Sequence, residues 1–284
     1  MQPQPPADLP EQVSRALRED VGTGDVTAAL IPAAQRAHAQ VLCRAPAIIC
    51  GAPWFDETFR QLDRAIRIHW RATEGESVGA GSVLCELHGA ARAILTGERT
   101  ALNFLQLLSA TATITQRFVA AVGSSHCRIL DTRKTIPGLR TAQKYAVRCG
   151  GGDNHRIGLS DLVLIKENHI ASAGSIAAAV VAARRQVPKL RVEVEVETLQ
   201  QLQEALDARA DLVLLDNFDL EGTRRAVQIN RSHAHPSRLE SSGGVSLAAI
   251  APLAATGVDF ISVGALTKNI KAIDLSMRFE MHNA

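Results

Sequence analysis

A chain of 284 residues, 46% hydrophobic and 21% charged, has enough apolar side chains for one large barrel or two ordinary domains. Its formal net charge of +2 is too small for a general nucleic-acid or membrane-surface binder, and 4% aromatics with a single tyrosine argue against stacking on single-stranded bases. Cys43, Cys50, Cys85, Cys127 and Cys149 are scattered with no C-x-x-C pair, which argues against a disulfide framework or structural zinc and suits a reducing cytoplasm.

In chain order, the N-terminal MQPQPPADLPEQ has neither the basic start nor the apolar centre of a signal peptide. Leu9 to Arg18 reads as a helix that stops before the turn-rich VGTGDVT. Residues 38 to 95 alternate in short runs, HAQVLCRA, IRIHWRA and SVLCELHG, with glycines between them and one helix over Trp54 to Leu62. That texture predicts antiparallel strands and turns. Arg92 to Val122 is a long helical pattern whose apolar face carries Leu95, Leu102, Leu105 and Leu108. No apolar run approaches the roughly 20 residues of a membrane span, so the expectation is a soluble, cytoplasmic protein.

From His126 the rhythm changes. Strand-like runs end in polar residues, CRIL before DTRK, DLVLI before KENH, then RVEVEVE, ADLVLL before DN, RLE before SSGG, and DFISV before GA. Helical segments at Ser172 to Gln186, Leu199 to Arg209, Glu221 to Asn230 and Leu247 to Ala255 lie between them. Six strand–helix units imply a parallel sheet with its polar strand ends at one mouth, and six strands are fewer than the eight of a complete barrel. The fold class expected is α/β, an incomplete β/α (TIM-like) barrel over residues 118–270 behind an N-terminal domain over residues 1–117.

The segment Asp131 to Ile170 concentrates Arg133, Lys134, Arg140, Lys144, Arg148, His155, Arg156 and Lys166 around strand ends and the glycines Gly150 to Gly152. Cations converging on one mouth need anionic partners to offset repulsion and desolvation, so the chain reads as an enzyme for a small polyanion. In RVEVEVE the valines Val192, Val194 and Val196 face one way and Glu193, Glu195 and Glu197 the other. The acidic row is either a solvated edge or the inward face of a barrel strand. If inward, Glu195 and Asp216 present two carboxylates suited to Mg²⁺ held partly through water. ESSGGV and VGA, with Gly243, Gly244 and Gly264, are glycine-rich strand exits that let backbone N–H groups approach phosphate, each followed by a helix start. His155 beside Arg156 reads as part of a binding loop. His169 stays open between a helix cap and a site edge, and Arg99 read locally is a surface residue.

The runs ERTALNFLQLLS, DTRKTIPGLR, KYAVRCGGGDNHRIGLSDLVLIKENHI, EVEVE, LLDN, ESSGGV and GVDFISVGALT resemble those of the quinolinate phosphoribosyltransferase family, from ALREDVGTGDVT to the final IDLSMRF. The resemblance implies an N-terminal open α/β sandwich rejoined by the C-terminal segment 271–284. It implies a homodimer, with room for a larger assembly, in which the sandwich of one subunit covers the barrel mouth of the other and Arg99 reaches the neighbour's site. By resemblance, Arg133, His155, Arg156 and Lys166 surround the pyridine dicarboxylate, Lys134 lies near the reacting centre, and Thr132 is a further substrate-binding residue. Glu195 and Asp216 face the ribose and Mg²⁺, Ser242, Gly243, Gly244 and Gly264 hold phosphate, and Val263 and Ala265 bind substrate beside them. The implied substrates are quinolinate and 5-phosphoribosyl-1-diphosphate, and the products nicotinate mononucleotide, diphosphate and CO₂, a step in making NAD. Ala110 stands where the family has glycine, and Ser241 where it has alanine; neither bears a site charge. A nicotinate enzyme without decarboxylation and a non-catalytic anion binder are the rivals. The surplus of arginines opposes the first, and the paired acids Glu195 and Asp216 oppose the second.

Overall fold

The computed structural model describes residues 3–282, and within them the chain forms two compact units. The first unit takes the residues up to Gln116, then Thr135–Gly151, and the residues from Thr267 on; the second takes Arg117–Lys134 and Gly152–Leu266.

The first unit is an antiparallel four-stranded sheet with helices. Its strand order is Leu275–His282, Arg36–Cys43, Val83–Ala90, Arg67–Trp70. Along Arg36–Cys43 the residues Ala37, Ala39, Val41 and Cys43 are buried and their neighbours are not, the period of two that the alternating runs predict. Those small side chains join Phe55, Phe59, Leu87, Ile94, Leu102 and Leu105 in one core, so the helices Ala52–Leu62 and Ala91–Val122 cover the buried face. The long helix matches its expected span to within one residue.

One helix, Arg140–Cys149, has no counterpart among the expected elements. Ala142, Tyr145 and Ala146, at helical spacing, pack with Leu9, Val13, Trp54 and Leu108 in a second core of the first unit. Its cations hide it in the sequence. Arg140, Lys144 and Arg148 therefore sit on a helix of the first unit, and Lys144 is buried there. This helix also cuts through the stretch expected to be continuous barrel.

The second unit is a six-stranded, all-parallel sheet in the order Arg128–Leu130, Phe260–Ser262, Arg238–Ser242, Leu212–Asp216, Val192–Val196, Val163–Ile165. That is the cyclic order of a β/α barrel, opened between its first two strands. Among the described residues one isolated bridge, Leu130 to Asp153, enters the opening. The barrel is incomplete because the chain between those strands supplies the helix Arg140–Cys149 instead of further strands. Two expected helices resolve differently. The helix expected from Ser172 to Gln186 begins only at Ile176, after a break at Gly174 (φ 89°) that ends a separate short helix, Glu167–Ala173, and the Ser175 hydroxyl caps it by accepting from Ala178 N at 3.1 Å. The segment from Leu247 is a 3₁₀ turn, Leu247–Ala249, running into Ile250–Ala254. Among the described residues no helix is long and apolar enough to cross a membrane.

Candidate active site at the strand ends of the barrel

Parallel register sorts the inward-facing side chains into tiers. Glu193 pairs with Leu212, Glu195 with Leu214, and Leu214 with Glu240 one strand further on; Asp216 pairs with Ser242 at the C-terminal rim. Val192, Val194 and Val196 are fully buried on the helix side, so the acidic row of this strand faces inward. Its burial falls toward the mouth: Glu193 is 0% exposed, Glu195 is partly buried and Glu197 is exposed. The alternative of a solvated acidic edge is thereby settled against.

Lys166, the residue after Val163–Ile165, reaches sideways to this row, with Nζ 2.5 Å from Oε2 of Glu195. His169 turns out to be a cap, since its Nδ1 accepts from the Lys166 backbone N–H at 3.0 Å.

The loop after Gly152 is fastened at two sides. Asp131, fully buried at the end of the first barrel strand, accepts from Asn154 Nδ2 at 2.6 Å and from His155 N at 2.9 Å. Across the barrel, His155 Nε2 lies 2.9 Å from Glu193 Oε2 and 3.4 Å from Glu240 Oε2. Arg156, half-buried, is carried by this loop. Burial first, and then the charge of Arg133 beside it, pull the Arg156 guanidinium below the usual arginine range, while Glu193, Asp161 and Glu195 oppose the shift. Nε of Arg133 is buried and, among the described residues, meets no hydrogen-bond acceptor. Two neighbouring arginines, one desolvated and one with a buried donor unspent, form a site for an anion with more than one charged group.

Thr132 and Lys134 continue the same strand exit; Thr132 Oγ1 accepts from Lys134 N at 3.0 Å, and Lys134 is exposed. At the far rim, Asn217 in the left-handed region (φ 57°) donates its amide to Asp216 Oδ2 at 2.8 Å and its backbone N–H to Ser242 O at 3.0 Å. Gly243 (φ 108°) packs on it so closely that a Cβ would stand 2.2 Å from Asn217 Oδ1, which only glycine allows. Ser242, Gly243, Gly244 and Phe218 line a cavity of about 250 Å³. Val263, Gly264 and Ala265 leave the last barrel strand beside Ser262. The first helical turn after each glycine exit is weak or short, a 3₁₀ turn over Leu247–Ala249 and the four residues Ala265–Lys268. What these loops offer a phosphate is thus backbone N–H groups more than a helix macrodipole.

Of the eight clustered cations, Arg133, Lys134, His155, Arg156 and Lys166 belong to this second unit, and Arg140, Lys144 and Arg148 do not. Arg99 is an exposed residue of the Ala91–Val122 helix in the first unit. The sequence reading gave no site role to Asp131, Asn154, Glu193 or Glu240. Two signals were available: Glu193 has the parity of Glu195, and Glu240 that of Ser242, along their strands.

Burial, followed by the nearby Glu193 charge, pushes the Glu240 carboxyl up to about 8. The folded chain then keeps a proton that the unfolded chain releases near the ordinary value of 4.5. The folded state binds more protons in between, so this group's contribution makes stability fall as pH rises from about 4.5 to about 8. Glu240→Gln should flatten that slope in urea-unfolding midpoints measured across the range; an unchanged slope would show that Glu240 does not hold the proton.

Known proteins resemble this chain in sequence and fold. The family model described as quinolinate phosphoribosyl transferase, N-terminal domain, matches residues 25–109, and its C-terminal counterpart matches residues 111–278. The chain is 43% identical over 274 residues to the nicotinate-nucleotide pyrophosphorylase (carboxylating) of Mycobacterium leprae, covering 94% of this chain and 95% of that protein. It is 41% identical over 266 residues to the probable enzyme of the same name from Bacillus subtilis, covering 93% and 91%. The solved nicotinate-nucleotide pyrophosphorylase of Francisella tularensis superposes with a TM-score of 0.93 at 49% identity over 98% of each chain.

Proposed function

The chain belongs to the quinolinate phosphoribosyltransferase family, and from that membership we propose that it joins quinolinate to 5-phosphoribosyl-1-diphosphate with loss of CO₂, forming nicotinate mononucleotide for NAD synthesis. The observation that carries this reading is the Arg133–Arg156 pair, whose desolvated charge and unspent donor call for a substrate with two carboxylates.

The chemistry follows from the substrates and from what the site holds. The pyridine nitrogen gives its lone pair to the anomeric carbon, and the diphosphate leaves with the electrons of the bond it breaks. Positive charge building on the ribose is stabilised by the carboxylates of Glu195 and Asp216. Once glycosylated, the ring nitrogen is cationic. The adjacent carbon can then keep the electron pair when its carboxylate departs as CO₂, after which that carbon takes a proton. The arginine clamp holds the ring in line for attack, and positioning accounts for much of the rate. Nicotinate, lacking one carboxylate, would leave an arginine unpaired and should be a poor substrate. An assay of CO₂ and diphosphate release tests both points; equal efficiency on the two acids would overturn the reading.

Mg²⁺ fits the donor set. Glu195 and Asp216 are hard oxygen donors on adjacent strands, and Lys166 and Asn217 already occupy one oxygen of each, which leaves contacts through water. When bound, Mg²⁺ would neutralise charge on the leaving diphosphate. Activity should therefore vanish in EDTA and return with Mg²⁺, and Asp216→Asn should lower turnover by roughly 10- to 100-fold while sparing quinolinate affinity. Full activity in EDTA would exclude the metal.

The active unit proposed is a homodimer with Arg99 contributed across the subunit boundary. The five unpaired cysteines support a cytoplasmic setting.

A further inference from the structure

Arg156 has a role in the proposed reaction, but the two acids beneath its loop have none. Glu193 and Glu240 are 0% and 1% exposed, on strands separated by Leu212–Asp216. Oε1 of Glu193 and both oxygens of Glu240 make no well-formed hydrogen bond among the described residues; His155 Nε2 approaches Glu240 at 3.4 Å, and Ser262 and Glu193 are its other polar neighbours. Buried carboxylates so poorly satisfied are costly, and a native structure keeps them only where the arrangement serves something.

The imidazole above them shows what. A backbone N–H can only donate, and that of Arg156 lies 2.8 Å from His155 Nδ1. Nδ1 therefore carries no proton, and the proton of the neutral ring sits on Nε2, aimed at Glu193 Oε2 at 2.9 Å. Both ring nitrogens are committed within the protein. His155 can meet an acid substrate only by its carbon edge, and its polar work is to hold the next residue. Asp131 secures the same loop from the other flank.

His155, Glu193 and Glu240 also lie within 4.8 Å of one another, close enough to suggest a small cation site. The distances favour a hydrogen bond. Ligand atoms around zinc, at bond lengths of about 2.0–2.1 Å, stand roughly 3.3 Å apart, whereas Nε2 and Oε2 are at 2.9 Å. The upward push on the Glu240 carboxyl agrees, since a neutral acid relieves the repulsion that a metal would otherwise have to cancel.

We propose that Glu193 and Glu240 are positioning residues for acid recognition. Through the His155 ring they fix the tautomer whose Nδ1 holds the Arg156 backbone, and so keep the Arg156 guanidinium beside Arg133 in the orientation that grips a carboxylate. This rests on Arg133 and Arg156 forming the quinolinate clamp.

The test compares the full-length wild type with Glu240→Gln and Glu240→Met. Methionine fills the space but is only a weak hydrogen-bond acceptor; the glutamine amide oxygen accepts a hydrogen bond as the carboxyl does, without titrating. Glu240→Met should raise KM for quinolinate about tenfold with KM for the phosphoribosyl donor changed less than about twofold, and Glu240→Gln should stay within about threefold of wild type on both. A folded Glu240→Met with unchanged quinolinate KM overturns the proposal, as does an equal rise in both KM values that glutamine does not rescue. Independently, ¹⁵N spectra of histidine-labelled protein, with the His155 signal identified by its loss in His155→Asn, should show the Nε2–H tautomer in wild type and Glu240→Gln. An Nδ1–H ring or an imidazolium there overturns the proposal even if Glu240→Met fails to fold. If the wild type turns over no quinolinate, the proposed function falls, and the tautomer still decides the positioning role.

Discussion

Replacing Arg133 by alanine should lower kcat/KM for quinolinate by roughly 10² to 10³, since truncating one partner of a desolvated charged pair costs about 2–5 kcal/mol. The stability of the free chain should hold or rise. Arg133 presses its charge on the half-buried Arg156, and its own Nε is buried without an acceptor among the described residues, so before substrate arrives the pair is a cost to the fold. Substrate carboxylates turn that cost into binding energy. Steady-state kinetics beside thermal unfolding measures both halves. An Arg133→Ala chain that loses several degrees in Tm yet keeps its quinolinate affinity would make Arg133 a structural residue and remove the main support for the dicarboxylate reading.

Arg99→Ala and Arg133→Ala chains should each be nearly inactive alone, and mixing them should restore activity. Arg99 is exposed on the Ala91–Val122 helix, while Arg133 follows the first barrel strand. If Arg99 serves the partner's site, a mixed dimer joins one doubly defective site with one intact site. Random pairing makes half the dimers mixed, so the ceiling is roughly a quarter of wild-type activity. Mass spectrometry verifies that subunits have exchanged. Exchange without recovery would place Arg99 in its own subunit's chemistry, or in none, and the shared-site proposal would end there.

Much of this protein is legible in its sequence because periodicity records which face of an element is buried. Alternation marked the strand Arg36–Cys43, the leucine face marked the Ala91–Val122 helix, and six apolar runs with polar ends marked the six parallel strands. The charged residues Arg133, Lys166, Glu195 and Asp216 stood out because each lies at or near a strand end, where a parallel barrel gathers its functional groups, and Arg156 because it follows Gly150 to Gly152 beside His155. Other features depended on contacts that no local pattern encodes. The helix Arg140–Cys149 was invisible because its cations outweigh a small apolar face, whose worth comes from Trp54, Phe104 and Leu108, distant in sequence. The acidic strand could face water or the barrel interior until its neighbours on both sides were known. Glu240 looked like the first letter of a glycine turn. Its standing as a buried acid comes from a register that sets it level with Leu214 and Glu195, and from packing that brings it near Glu193 and under His155, which is a property of the assembled sheet and of no single segment. Local sequence determines which way each element turns its apolar side; only the packed sheet decides which polar groups must then share the interior.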